Sequence, residues 1–169
     1  VLVYGASKAY AMTGWRIGYG AGPKVIIKAM TDAQSQVTSN PPSIAQWAAV
    51  EALAGPQDEV AKMAGEFDRR RRVIIEALNA IPGVRCVMPK GAFYAFPNVS
   101  GLFGKRAKAG VLRGSADVCA FLLDEARIAT VAGVDFGSDA HIRLSYATGL
   151  DTIKEGMRRM DAAVRTLEG

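Results

Sequence analysis

The sequence has little of what metal sites, disulfide frameworks and membrane spans require. Its 169 residues include one histidine, His141, and two cysteines, Cys86 and Cys119. A single histidine excludes a multi-histidine metal site, and two distant cysteines give neither a disulfide framework nor a metal-ligand cluster. No apolar run approaches the ~20 residues that cross a bilayer, and no signal peptide opens the chain. We therefore expect a cytoplasmic protein with no metal and no membrane partner.

The chain also lacks an initial Met and begins inside an apolar run, "VLVY". We therefore expect an amino-terminal part to precede Val1.

Basic residues outnumber acidic ones, but their arrangement does not indicate a nucleic-acid partner. The formal net charge is +5, and the densest basic run is "DRRRR", Asp68–Arg72. Around this run, apolar residues recur at helical spacing: Val60, Met63, Phe67, Ile74 and Leu78. Such a stripe is typical of an amphipathic helix. Consecutive residues of a helix point to different sides, so the arginines make no focused basic patch. We therefore interpret them as part of a solvated helix face and expect no nucleic-acid partner.

The order of predicted elements alternates between strands and helices. Strands are predicted at residues 1–4, 16–20, 84–89, 91–99, 128–133 and 141–148. Helices are predicted at residues 24–37, 44–55, 115–127 with Ser115 as the cap, and at the end of the chain. A long amphipathic helix starts near Pro56, and a basic, glycine-rich loop covers residues 101–114. We place a domain boundary before the long helix, which gives an amino-terminal part, 1–55, and an α+β unit, 56–169.

Two cations near the amino end indicate chemistry. Lys8 lies among small residues in "VLVYGASKAYAMTGW", with no carboxylate close in sequence, and Arg16 follows eight positions later. Apolar surroundings disfavour the charged form of a lysine, and a neutral amine can form a Schiff base with a carbonyl. Arginine binds phosphate through a planar fork of donors. The pair therefore indicates an imine anchor and a phosphate clamp for an aldehyde cofactor that carries a phosphate.

The segment around Lys8 resembles the pyridoxal-phosphate attachment motif of the class I aminotransferases. In "GASKAYAMTGWRIG" the constrained positions other than Lys8 match, namely Gly5, Ala6, Ser7, Ala11, Met12, Gly14, Arg16, Ile17 and Gly18. "HIRLSYAT", residues 141–148, is similar to the family strand whose arginine binds the substrate α-carboxylate, here Arg143. "KGAFYAFPNV", residues 90–99, resembles a small-domain strand near the substrate. "SNPPS", residues 39–43, resembles the stretch that approaches the partner subunit's cofactor.

The resemblance implies an α/β fold, specifically the carboxy-terminal part of the type I pyridoxal-phosphate-dependent transferase fold. Residues 1–55 would be the end of the large, cofactor-binding domain, and 56–169 the small α+β domain. The implied protein is a homodimeric aminotransferase, most like the bacterial members that use aspartate. It would move an amino group between an amino acid and a 2-oxo acid.

The same resemblance assigns roles by position. Lys8 would carry pyridoxal phosphate as a Schiff base and move the substrate's α-proton. Arg16 would hold the cofactor phosphate, and Arg143 the substrate carboxylate. Several members have a phosphate-binding serine three residues before the lysine, where this chain has Gly5. Ser7 is therefore the candidate substitute.

Interpretations that need no resemblance stay open for some of these residues. Arg143 lies in an apolar strand, where an ion-paired or edge-strand arginine is the ordinary interpretation. His141 lies two residues before it, on the same side of the strand, and is interpreted as structural. Phe93 and Tyr94 are interpreted as core residues rather than substrate contacts.

Other functions of the same fold also stay open. The family's aspartate under the pyridine nitrogen, its tyrosine at the phenolic oxygen and its phosphate loop would all precede Val1. We therefore expect the chain alone to be inactive. The alternatives are another enzyme of this fold, such as a carbon–sulfur lyase or an aminocyclopropane-carboxylate synthase, and the effector-sensing domain of a transcription regulator. Product analysis separates the enzymes, and the upstream sequence identifies a regulator.

Overall fold

An antiparallel pair of strands begins the chain in the computed structural model, which describes all residues from 1 to 169. Strand β1 spans Leu2–Gly5 and strand β2 spans Gly18–Ala21, with the last residue of β1 opposite the first residue of β2. Gly18 is required here, because a Cβ at this position would lie 2.8 Å from the Tyr4 carbonyl oxygen. The connection between the strands, residues 6–17, therefore starts and ends at one close pair of residues.

Three predicted helices follow and are confirmed. They are α1 (Lys24–Val37), α2 (Ser43–Ala54) and α3 (Asp58–Ala80). Pro23 and Pro42 immediately precede α1 and α2 with φ values of -56° and -54°. A proline is tolerated at a helix start because its missing N–H would have no partner within the helix.

The chain divides into two compact units, Val1–Ala64 and Gly65–Gly169. This division falls within α3, whereas the sequence suggested a boundary at residue 56. The assignment of 1–55 and 56–169 to two domains of a larger enzyme stays a prediction.

The first unit exposes much apolar surface. Helix α2 buries only Ala45, while Trp47 is 74% exposed. Other large apolar side chains of this unit are also exposed, including Val3, Val25, Ile44, Val50 and Leu53. A helix that is apolar on all sides normally lies inside a larger protein.

The second unit contains a small antiparallel sheet of three strands, namely β3 (Tyr94–Ala95), β6 (Val131–Ala132) and β7 (Ile142–Ser145). Strand β7 is the central one, in the order β3–β7–β6. The strand prediction for 141–148 is thus confirmed at its centre, and those for 91–99 and 128–133 are confirmed only as two-residue strands. A 3₁₀ turn at Gly133–Phe136 follows β6.

Two helices complete this unit, α4 (Ser115–Ala126) and α5 (Leu150–Val164). Apolar residues of α5 recur at helical spacing and are buried, as Ile153, Met157 and Met160 illustrate. They join one core with the end of α3 and the inner face of the sheet; its fully buried members include Leu78, Leu122, Ile142 and Tyr146. None of the helices combines the length and apolar character that crossing a bilayer needs.

The strand predicted at residues 84–89 is wrong. Only Arg85 pairs there, in an isolated bridge with Asn98. The physical reason is a competing side chain: the Asn79 amide accepts the Cys86 N–H at 2.9 Å and donates to the Cys86 carbonyl at 3.0 Å. These bonds occupy the main-chain groups that a strand would use.

The predicted loop at residues 101–114 contains a short hairpin instead. Strands β4 (Arg106–Ala107) and β5 (Gly110–Val111) pair in antiparallel register. Lys108 and Ala109 form its two-residue turn, and Gly110 has a φ of 137° that favours glycine.

Ser115 does not cap α4, contrary to the prediction. The N-cap is Gly114, and Ser115 is fully buried. Its hydroxyl donates to Asp139 Oδ1 at 2.7 Å, and its N–H donates to the same oxygen at 2.9 Å. The Ser115 hydroxyl also accepts the Val134 N–H at 3.2 Å. The Asp139 carboxylate therefore accepts hydrogen bonds at the start of α4, where negative charge is favourable. The bond between Ser115 and Val134 ties α4 to the turn after β6.

These bonds predict a specific dependence of stability on pH. The Ser115 hydroxyl and N–H hold the pKa of Asp139 below its usual value of 3.8. Because the folded-state pKa is depressed, Asp139 stabilises the fold above 3.8, and this contribution is lost as the pH falls through the folded pKa. Unfolding of the wild type and Asp139→Asn, followed from neutral pH to about pH 2, should give a stability difference that shrinks in that acidic range. Identical pH profiles for the two proteins would contradict the assignment.

Candidate active site

The connection at residues 6–17 is a compact loop that continues the β1–β2 pair. The Ala6 N–H donates to the Ile17 carbonyl at 3.3 Å, one step beyond the last paired residues. A 3₁₀ turn covers Thr13–Trp15. Ala6 and Met12 are the buried residues of this connection, and its charged side chains are exposed.

Thr13 ties the two halves of the connection together. Its hydroxyl donates to the Ser7 carbonyl at 3.1 Å, and its own carbonyl accepts Arg16 Nη1 at 2.9 Å. Arg16 adopts a left-handed backbone with a φ of 52°. The structure thus brings Ser7, Lys8 and Arg16, three of the predicted site residues, onto one short connection, with Lys8 and Arg16 exposed and Ser7 half-buried.

The chemistry of this donor set fits an aldehyde that carries a phosphate. Lys8 supplies an amine, Arg16 a guanidinium and Ser7 a hydroxyl. None of the ion pairs in the structure involves Arg16, so no carboxylate of the chain neutralises it. An unneutralised guanidinium suits a phosphate dianion, which accepts hydrogen bonds from its planar fork.

Other chemistries have less support. No group of three or more His, Cys, Asp or Glu residues is placed to hold a metal ion. Burial raises the pKa of the Cys86 thiol and of the Cys119 thiol. A raised pKa leaves less thiolate at neutral pH, so neither cysteine is a candidate nucleophile.

Arg143, the fourth predicted site residue, lies in the second unit on the central strand β7. Its neighbours Ile142 and Leu144 are buried, so Arg143 points away from the core. Its guanidinium carbon lies 4.7 Å from the centre of the Tyr94 ring and 4.4 Å from the centre of the Phe136 ring. The side chain is half-buried.

The ordinary interpretations of Arg143 do not hold. It is not on an edge strand, because β7 lies between β3 and β6. It is not ion-paired, because no salt bridge of the structure includes it. A half-buried guanidinium that is stacked on rings and has no carboxylate partner is suited to bind the carboxylate of a ligand.

Sequence reasoning missed the two rings that contact Arg143. The interpretation of Tyr94 as a core residue is wrong, because its side chain is 37% exposed and Ala95 occupies the core instead. The alternation of Tyr94, Ala95, Phe96 and Pro97 carries the signal, since alternate strand residues face opposite sides. Phe136 had no such signal, because it lies in a 3₁₀ turn whose position depends on distant partners.

Comparisons with known proteins agree on one family. A family model described as aminotransferase class I and II matches residues 1–160. An aspartate aminotransferase of Rhizobium meliloti (strain 1021) is 49% identical over 162 residues, which is 95% of this chain and 40% of that protein. A probable aspartate/prephenate aminotransferase of Rickettsia bellii is 48% identical over 166 residues, covering 98% of this chain and 42% of that protein.

Solved structures give the same result. The crystal structure of the aspartate aminotransferase from Rhizobium meliloti matches with a TM-score of 0.95 and 48% identity, over 98% of this chain and 42% of that one. The aromatic aminotransferase from Pyrococcus horikoshii OT3 matches with a TM-score of 0.85 and 37% identity, over 96% of this chain and 42% of that one. The chain thus spans about two-fifths of the length of these relatives. The likeness confirms the predicted α/β fold, the carboxy-terminal part of the type I pyridoxal-phosphate-dependent fold.

Proposed function

Because the chain belongs to the class I and II aminotransferase family, we propose that it is the carboxy-terminal part of an aminotransferase that moves an amino group between aspartate and a 2-oxo acid. Pyridoxal phosphate is the cofactor of this family. The observation that carries the proposal is the connection at residues 6–17, which presents an amine and an unneutralised guanidinium on one short loop. Aspartate as the amino donor rests on the names of the relatives.

Arg16 and Ser7 bind the phosphate of the cofactor. The Arg16 guanidinium has no carboxylate partner, and only its Nη1 is engaged, with the Thr13 carbonyl. Its remaining N–H groups are available to phosphate oxygens. The Ser7 hydroxyl adds one donor where Gly5 supplies none.

Lys8 holds the cofactor and moves the proton. Its Nζ would hold the aldehyde carbon of the cofactor, and the same amine would carry the proton of the substrate. When bound, pyridoxal phosphate supplies an electron sink for the electron pair left at the α-carbon of the substrate. Lys8 then accepts the α-proton as a general base and later returns it as a general acid.

Arg143 binds the α-carboxylate of the substrate. An amino acid and the 2-oxo acid made from it both carry this group, so one guanidinium can serve both halves of the reaction. The two parallel hydrogen bonds of an arginine–carboxylate pair also fix the orientation of the substrate.

The whole protein supplies what the chain does not contain. We propose that it is a cytoplasmic homodimer whose amino-terminal part holds the pyridine ring of the cofactor and covers the apolar surface of Val1–Ala64. The 169-residue chain alone would then show no transamination at ordinary enzyme rates.

The role of Lys8 is tested by locating the cofactor on the full-length protein. Borohydride reduction of the holoenzyme should leave a pyridoxyl group on the peptide that contains Lys8, because only its amine holds the aldehyde. Lys8→Ala should lose both the label and the visible absorbance of the bound cofactor. Lys24→Ala, an exposed lysine at the start of α1, is the matched control and should retain both. A label on any other lysine would overturn the assignment.

The role of Arg143 is tested by substrate binding. Arg143→Lys keeps the charge but loses the planar fork. Binding of the amino acid and of the 2-oxo acid should weaken by about 2–5 kcal/mol, the scale for truncating one partner of a buried charge pair. Cofactor binding should be unchanged, and so should substrate binding by Arg113→Lys, the control at an exposed arginine. Equal affinity of wild type and Arg143→Lys for a dicarboxylate inhibitor would show that the role is wrong.

A further inference from the structure

We propose that Tyr94 and Phe136 are positioning residues, which hold the Arg143 guanidinium by stacking and so set its affinity for a substrate carboxylate. The proposal rests on the function proposed above for Arg143. It adds a determinant of substrate affinity to the guanidinium itself.

The geometry of the stack is specific. The guanidinium carbon is 4.7 Å from the Tyr94 ring centre and 4.4 Å from the Phe136 ring centre, within the range for a cation–π interaction. The ring pairs of the structure do not include Tyr94 with Phe136, so the guanidinium contacts two rings that are not paired with each other. A planar group held by its faces keeps its N–H groups at its edges, where a carboxylate can accept two of them.

The Phe136 ring is itself braced. It meets Phe96 edge-on at 6.2 Å, and Phe96 stacks on His141 at 4.9 Å with an interplanar angle of 7°. The His141 ring in turn shares a hydrogen bond of 2.8 Å with the Ser138 hydroxyl. Three aromatic rings therefore form a continuous series from the loop before β7 to the guanidinium.

The backbone that carries Phe136 is also fixed. The Gly133 N–H donates to the His141 carbonyl at 2.9 Å, and the Val134 N–H donates to the buried Ser115 hydroxyl at 3.2 Å. Gly133 has no room for a Cβ, which would collide with the carbonyl oxygens of His141 and Ser138. The turn cannot shift without breaking these contacts, so the position of the ring is determined by the fold.

Burial shows that the two rings are not needed to fill the core. Tyr94 is 37% exposed and Phe136 is 47% exposed, and neither ring belongs to the hydrophobic core cluster of the unit. Their contact with Arg143 shields the charge from water, and shielding strengthens a hydrogen-bonded pair with a carboxylate.

The test compares variants that remove a ring with variants that keep it, in the full-length holoenzyme. Tyr94→Leu and Phe136→Leu should each raise KM for the amino acid and for the 2-oxo acid by about 3- to 10-fold, the scale of one partly desolvated cation–π contact. The Kd of maleate, a dicarboxylate inhibitor, should rise by the same factor, while kcat changes by less than about 2-fold. Tyr94→Phe and Phe136→Tyr should bind as the wild type does.

Val134→Ala is the matched control for the turn. Val134 is 52% exposed in the same 3₁₀ turn, and an alanine there keeps the main-chain N–H that donates to Ser115. It should leave KM and maleate binding unchanged. Thermal unfolding of every variant reports whether its fold is retained, and each of the two rings is judged separately.

The outcomes separate this proposal from the function on which it rests. If Arg143→Lys binds maleate normally, the proposed role of Arg143 fails and the stack has no function in binding. If Arg143→Lys weakens binding but the folded leucine variants do not, the proposed role of the two rings is wrong and the role of Arg143 stands. If the ring-keeping variants lose as much affinity as the leucine variants, stacking is not the cause and the proposal is also wrong.

Discussion

The close pairing of β1 with β2 is the constraint on which the account of Lys8 and Arg16 depends. Gly18 allows the strands to approach, since any larger residue would collide with the Tyr4 carbonyl. Closing a connection costs entropy, and the strand pairing already brings the two ends of this one together. Two hydrogen bonds through Thr13 then join its two halves, and Arg16 has a left-handed conformation that an arginine rarely adopts.

In the second unit, the central strand β7 determines the position of Arg143, as the β1–β2 pair does for Lys8 and Arg16. Strand β7 buries Ile142 and Leu144 in the core and leaves Arg143 on the opposite face. Both neighbouring strands then bring aromatic rings to it, Tyr94 directly and Phe136 through the turn after β6. The buried Ser115 and the Asp139 carboxylate anchor that turn to the start of α4. The hydrogen bonds of Ser115 that anchor the turn to α4 therefore also help to position the Phe136 ring at Arg143.

Local sequence patterns predicted the helices and the motif residues, which depend on interactions between residues close in sequence. The helices follow from apolar periodicity and from prolines at their starts, and Lys8 and Arg16 follow from one short motif. The errors arose where a distant side chain supplied the hydrogen bond. Asn79 takes the main-chain groups of Cys86, so no strand forms there, and Asp139 rather than Ser115 satisfies the start of α4. Phe136 could not be found for the same reason, because nothing near it in sequence indicates Arg143 as its neighbour.

The most direct test of the account is a crystal structure of the full-length protein with pyridoxal phosphate and a dicarboxylate inhibitor bound. We expect electron density that is continuous from the cofactor to Lys8 Nζ, or that amine in contact with the cofactor. The phosphate of the cofactor should lie on Arg16. One carboxylate of the inhibitor should lie edge-on to the Arg143 guanidinium, with the rings of Tyr94 and Phe136 in contact with that guanidinium. A cofactor bound away from the connection at residues 6–17, or an inhibitor that does not touch Arg143, would contradict it.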